Sequence, residues 1–306
     1  MMGRDGRGGC FTHMFWIPIT IGAAGFQVAR NALQRGLMGD AGPWGATLVR
    51  FLFGLPFTLL MWAAVAAASP GARPSFGLAF WLAASTGALS QLLASAALLV
   101  AMRRAGFAIG TALQQSSLPL SAVIGLAVFH DNLHPLAWVG VAITTLGLAV
   151  LTWPKGAAGP QPLSGALFGL ISGLCFGFSL NAFRHAELAL EPHRHILAAV
   201  TSVTVAQALQ ASSLTLVLAF TRPAALKAVI TSWRQSLGAG LCGAIASFGW
   251  FTAIGFSPAG PVRAVGMVEM PMAAVAGRRV FAERLTLLQW AAGVTTAFGV
   301  VLAAVG

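Results

Sequence analysis

Residues 118–147 read LPLSAVIGLAVFHDNLHPLAWVGVAITTLG, and residues 270–299 read MPMAAVAGRRVFAERLTLLQWAAGVTTAFG. Laid over one another without a gap, at an offset of 152 residues, they pair Pro119 with Pro271, Ala122 with Ala274, Val123 with Val275, Gly125 with Gly277 and Phe129 with Phe281. The register continues through Leu133 and Leu285, Leu136 and Leu288, Trp138 and Trp290, Thr144 and Thr296, and Gly147 and Gly299. A fainter echo at an offset of 150 sets Ile21, Phe26, Asn31 and Ala32 against Ile171, Phe176, Asn181 and Ala182. The offset is close to half of the 306-residue chain, so the second half repeats the first. If each half crosses a bilayer an odd number of times, the second enters it inverted, which is how many secondary transporters are built.

A bilayer is the right solvent for this composition. Only 8% of the residues are charged, 57% are hydrophobic and the mean hydropathy is +0.81, whereas a soluble domain carries about 25% charge. A hydrocarbon core of about 30 Å needs about 20 apolar residues per helix. Runs of that kind predict ten spans, at 14–34, 44–68, 77–102, 107–129, 135–153, 163–184, 195–220, 236–256, 259–281 and 286–305. The expected fold is an all-α integral membrane protein of ten transmembrane helices in two inverted five-helix repeats. A tail at 1–13 precedes the first repeat at 14–153; a Gly/Pro-rich linker at 154–162 leads into the second at 163–306.

The net charge of +11 is spread singly or in pairs at helix ends, where basic residues anchor helices at headgroups. Without a basic cluster or stacking platform, nucleic acid is not an expected partner. Cys10, Cys175 and Cys242 lie far apart, so neither a disulfide framework nor a zinc set is implied. Arg4 and Arg7 precede the first apolar run as they would in a secretory signal, but the run is too long for one and more spans follow it, so an uncleaved first helix is expected.

With ten spans, two five-helix repeats, and repeat ends that run Pro, small residues, Phe, an acidic loop, Leu, Trp, small residues, Gly, the chain resembles the drug/metabolite transporter superfamily, EamA type. The resemblance implies export of amino acids, related metabolites or drugs across the inner (plasma) membrane, with both termini cytoplasmic. The family's loop glutamate has its match in Glu283, where the first copy carries His130-Asp131. Charge argues for the other orientation: Arg35, Arg103, Arg104, Lys155, Arg222, Lys227, Arg234, Arg278, Arg279 and Arg284 fall on one side, against Arg4, Arg7, Arg73, Arg184 and Arg194 on the side of the termini.

Glu269 is the acid placed well inside a span, where a charge is costly unless paired or hydrated, so it either titrates or meets a cation. Proton coupling or pairing with a substrate amine is one reading, and a structural ion pair the other. Arg263 lies six residues earlier, off the Glu269 face of a continuous helix and near the start of its span, where it would snorkel or meet a substrate carboxylate. Gly266 and Ala273 flank Glu269 with room for water or substrate. Arg30 and Arg50 also need partners, Arg50 being the deeper.

Gln114, Ser117 and Ser121 share a face of the fourth span. Pro119 and Pro271 sit at matching depths as candidate helix breaks around a midplane site, or as plain packing kinks. Gln27, Asn31, Gln91 and Asn181, with Gln207 and Gln210, are neutral polar groups that either bind substrate or join helices. Trp250 could stack on a substrate ring or pack. Loops 130–134 and 187–195 hold His, Asp and Glu in no established metal spacing. No cofactor or metal is indicated. The expected partners are a small-molecule substrate, the lipid bilayer and protons, in a monomer or homodimer. A multidrug or cation exporter of the same fold, a passive channel and an intramembrane enzyme are the alternatives; with no nucleophile elbow or paired intramembrane acids, an enzyme is the least expected.

Overall fold

The computed structural model describes residues 15–72, 74–129, 134–151 and 162–281, together with 291, 294–295, 298–299 and 302. The tail at 1–13, the linker at 154–161, His130-Asp131, Glu283 and most of the tenth span lie outside the described residues. Among those described, regular structure is helix alone: α1 (Trp16–Gly36), α2 (Met38–Leu52), α3 (Leu55–Ala67), α4 (Leu78–Ala105), α5 (Phe107–Gln114), α6 (Ser117–Phe129), α7 (Pro135–Leu151), α8 (Pro162–Leu190), α9 (His195–Thr221), α10 (Pro223–Thr231), α11 (Trp233–Phe256), α12 (Ala259–Gly266) and α13 (Glu269–Phe281).

Five stretches among the described residues are long and apolar enough to cross a bilayer: Ala41–Ala67, Leu78–Ala105, Leu163–Leu190, His195–Thr221 and Trp233–Phe256. The other expected spans differ for separate reasons. The fourth and ninth are each broken in two, and the fifth, α7, is described only as far as Leu151. The first, α1, is diluted by polar groups on one face. Its buried residues include Thr20, Ala24, Gln27, Asn31 and Gln34, three to four apart, while Ile21, Phe26 and Leu33 point outward. That is the reverse of a helix on a water-soluble core, whose apolar stripe turns inward. The same inversion marks the whole molecule: Leu163, Phe220 and Leu78 are 86%, 81% and 75% exposed, while polar and charged groups fill the middle. Such a surface would aggregate in water and costs nothing against lipid. These features are those of a multi-pass membrane protein.

Helices from the two halves pack in matched pairs. α1 lies on α11 and α4 lies on α8; α1 touches α12 and α13 as α8 touches α5 and α6; α13 meets α5 as α12 meets α6. Small residues set the spacing. A Cβ added to Gly173 would stand 3.0 Å from the Ser117 amide nitrogen, and one added to Gly177 would stand 3.0 Å from that of Ser121, so the glycine stripe of α8 lets α6 approach backbone to backbone. Between α4 and α5 the chain reverses at Gly106, whose φ of +96° suits a residue without Cβ.

Candidate functional site at the crossing of two broken helices

Pro119 has no N–H to offer the carbonyl of Gln115, four residues back, and Pro271 has none for Met267. Both positions are resolved the same way. Leu118 N–H donates to the Gln115 carbonyl at 2.9 Å, and Met270 N–H donates to the Met267 carbonyl at 2.9 Å. One step earlier, Gln115 N–H donates to Ala112 O and Met267 N–H to Ala264 O, each at 3.0 Å. Each bond in one copy recurs in the other at the 152-residue offset, and the helices leading into the breaks have the same length, 8 residues. The breaks therefore fall at Gln115-Ser116 and Met267-Val268, a turn before the prolines and not at them. Each proline becomes the third residue of the following helix, where a missing donor costs nothing.

The breaks collect charge. Glu269 opens α13, at the positive end of its helix dipole, and is fully buried. Its Oε1 accepts a hydrogen bond from Gln27 Nε2 on α1, and its Oε2 accepts one from Gln115 Nε2 at 2.7 Å. Gln115 Oε1 accepts in turn from Arg263 Nη2 at 2.6 Å, and that nitrogen lies 3.9 Å from Glu269 Oε2. The Arg263 guanidinium also stacks 4.9 Å from the centre of the Trp250 ring. Arg263 thus neither snorkels nor stands off the glutamate. It is buried at 2% exposure, because the break between the two residues removes the continuous helix that would have held them apart.

The room assigned to Gly266 beside Glu269 is filled as well. A Cβ there would overlap the Trp250 ring, so the missing side chain is what lets the indole reach Arg263.

Two more arginines border this cluster. Arg30, 1% exposed, donates from Nε and Nη2 to Asn31 Oδ1 at 3.2 and 2.7 Å. Arg50, 2% exposed, donates to Ser95 Oγ at 2.9 Å and, less closely, to Ser247 Oγ at 3.5 Å, with its guanidinium over the Phe51 ring. Both flank Gly243 of α11.

The remaining expected site residues divide into two sets. Gln114 and Ser117 are fully buried at the break, and their side-chain polar atoms find no hydrogen-bond partner among the described residues. Asn181 instead ties α8 to α6, donating to Gly177 O at 2.9 Å and Ser121 O at 3.0 Å, and Gln91 ties α4 to α9 by accepting from Gln210 at 2.9 Å. Gln207 accepts from Thr58 at 3.2 Å. These three act as joints between helices. Gln115 is the residue that sequence reading passes over. The available signal was Pro119, because the fourth residue before a helical proline loses its carbonyl partner and marks the break.

A second buried acid, Glu187, lies near the end of α8, with Gly255 of α11 packed against its carboxylate. No three His, Cys, Asp or Glu side chains among the described residues come together as a metal site. Two clefts open elsewhere on the surface, one lined by Ser69, His193, His195 and Phe256, the other by Leu52, Trp81, Leu209 and Leu216.

No protein-family model matches the chain, and no curated protein matches it in sequence. Solved structures match it in fold. The crystal structure of one protein superposes with a TM-score of 0.61 over 93% of this chain and 95% of the other, at 15% identity. At that identity the likeness is one of fold alone.

Proposed function

We propose that this chain is a secondary transporter of EamA-type architecture that carries a small metabolite across the inner (plasma) membrane by alternating access. The observation that carries the reading is the buried set Gln27, Gln115, Arg263 and Glu269, held where two interrupted helices cross inside an apolar exterior. Charges inside a bilayer are expensive, several kcal/mol each, and intramembrane ionisable groups mark transport pathways by default. Broken helices around a polar midplane are a feature of carriers.

Further support comes from the repeat. The hydrogen bonds at the breaks recur at offset 152, and helices exchange corresponding partners between halves, as an inverted repeat requires. Rocking α1 and α11 against α4 and α8 would open the cluster to one face and then the other. Glu269 would release Arg263 and rebind it in each cycle, the step at which a proton or a substrate charge enters. Export is the direction that the family resemblance implies.

Reconstitution into liposomes tests this reading. A carrier gives saturable flux and counterflow, in which internal unlabelled substrate drives uptake of labelled substrate. Flux that never saturates and shows no counterflow would make the protein a channel and overturn the proposal.

A further inference from the structure

We infer that Arg30 and Arg50 form an oxyanion-binding pair, and that the molecule carried is a small organic anion bearing a carboxylate or a phosphate. The inference rests on the transport reading for the word carried, and on geometry for the rest. Among the described residues, Arg30, Arg50 and Arg263 are buried in the interior, and the carboxylate near them is Glu269, beside Arg263. Glu269 lies within ion-pair distance of Arg263 and acts on Arg30 only from beyond hydrogen-bond reach, so the direct partners of Arg30 and Arg50 are neutral: Asn31 for the first, Ser95 and Ser247 for the second. Both are at most 2% exposed.

Arginine keeps its proton inside proteins, so neither group can escape the cost by becoming neutral. Donors also remain. Among the described residues, Arg30 Nη1, Arg50 Nε and Asn31 Nδ2 are buried without a hydrogen-bond partner. The two side chains pass the same point of α11: a Cβ on Gly243 would stand 3.2 Å from Arg30 Cδ and 3.5 Å from Arg50 Cβ, and the charge of Arg30 is felt at Arg50. Like charges held together out of water, each with a free N–H, are the complement of an oxyanion, which guanidinium groups take up through paired charge-assisted bonds.

The polarity is specific. A lipophilic cation would add to an excess of positive charge, and a zwitterion would bring its ammonium into the same field. An anion offsets both arginines.

The purified full-length protein can be tested by thermal shift against succinate, glycerol phosphate, leucine and tetraphenylphosphonium, since a ligand of the native state raises Tm in a saturable way. We expect succinate or glycerol phosphate to raise Tm, and whichever acts identifies the carboxylate or the phosphate. Leucine and tetraphenylphosphonium should have no effect. Arg30→Gln and Arg50→Gln should weaken the anion's apparent affinity by about tenfold or more, the loss of a charge-assisted bond. Arg50→Lys, which keeps the charge but not the fork, should fall between, and it serves if the glutamine variants do not fold.

No shift with either anion, a shift only with leucine or the cation, or an anion shift unchanged in the arginine variants would each overturn the inference. Flux assays separate the two proposals. Saturable counterflow of leucine or the cation without anion binding would leave the carrier and remove the anion, and anion binding without counterflow would do the reverse.

Discussion

At the scale of single residues, the centre of the molecule depends on one carboxamide. Gln115 uses both ends, donating to Glu269 and accepting from Arg263. Gln115→Leu would leave a buried guanidinium and a buried carboxylate each short of a bond, at about 1–3 kcal/mol per orphaned group. We expect a fall in Tm of several degrees, on the scale of about 2–4 °C per kcal/mol; an unchanged Tm would show that the bridge contributes nothing.

Glu269→Gln asks a different question. It keeps the shape and one acceptor but removes the charge opposite Arg263. Uphill flux should be lost while exchange survives, and unchanged accumulation with an unchanged pH dependence would remove Glu269 from the coupling step. Glu269 was legible because an acid in an apolar run is anomalous by itself. Gln115 was not, because a glutamine beside a glutamine carries no anomaly, and only the break turns one inward to the charge and leaves Gln114 beside it without a partner among the described residues.

At the scale of elements, prolines foretold that two helices would break, and they misplaced the break by a turn. The sequence displays the ring, whereas the interruption falls where the ring's absent N–H is missed, at Gln115 and Met267. The breaks are also where motion would concentrate, since the carbonyls there are already held by shorter-range bonds. Restoring the donor should close them. In the double variant Pro119→Ala, Pro271→Ala the amides of residues 119 and 271 can bond to Gln115 O and Met267 O, making continuous helices. We expect a protein with Tm raised or unchanged and slower transport. Flux at the original rate would mean that the breaks serve packing and not movement.

The first helix teaches the converse lesson about elements. α1 is less apolar on average than the other long helices because Gln27, Arg30, Asn31 and Gln34 dilute it, yet all four lie on its buried face. Periodicity, not average hydropathy, identifies such a helix.

At the scale of the whole molecule, the repeat was legible as a constant offset, but the exchange of partners between halves was not, because side-by-side packing depends on small-residue stripes such as Gly169-Gly173-Gly177 finding their matching surface. The repeat makes a claim about sidedness that can be measured. Ala72, between α3 and α4, and Ala224, at the start of α10, are equivalent at the 152-residue offset. If the second half is inverted, they face opposite sides of the membrane. Cysteines placed there singly, in a protein whose Cys10, Cys175 and Cys242 are replaced by serine, would be labelled by a membrane-impermeant thiol reagent from opposite sides. Labelling of both from one side would refute the inversion. The same experiment sets two guides to orientation against each other. Arg222, Lys227 and Arg234 surround Ala224, and by the positive-inside rule they belong in the cytoplasm. The resemblance to EamA-type exporters places the termini, and with them Ala72, in the cytoplasm instead. We expect Ala224→Cys to label in intact cells and Ala72→Cys only after permeabilisation. The reverse pattern would preserve the inverted repeat while showing that the arginines, and not the likeness, set the direction in which this chain enters the bilayer.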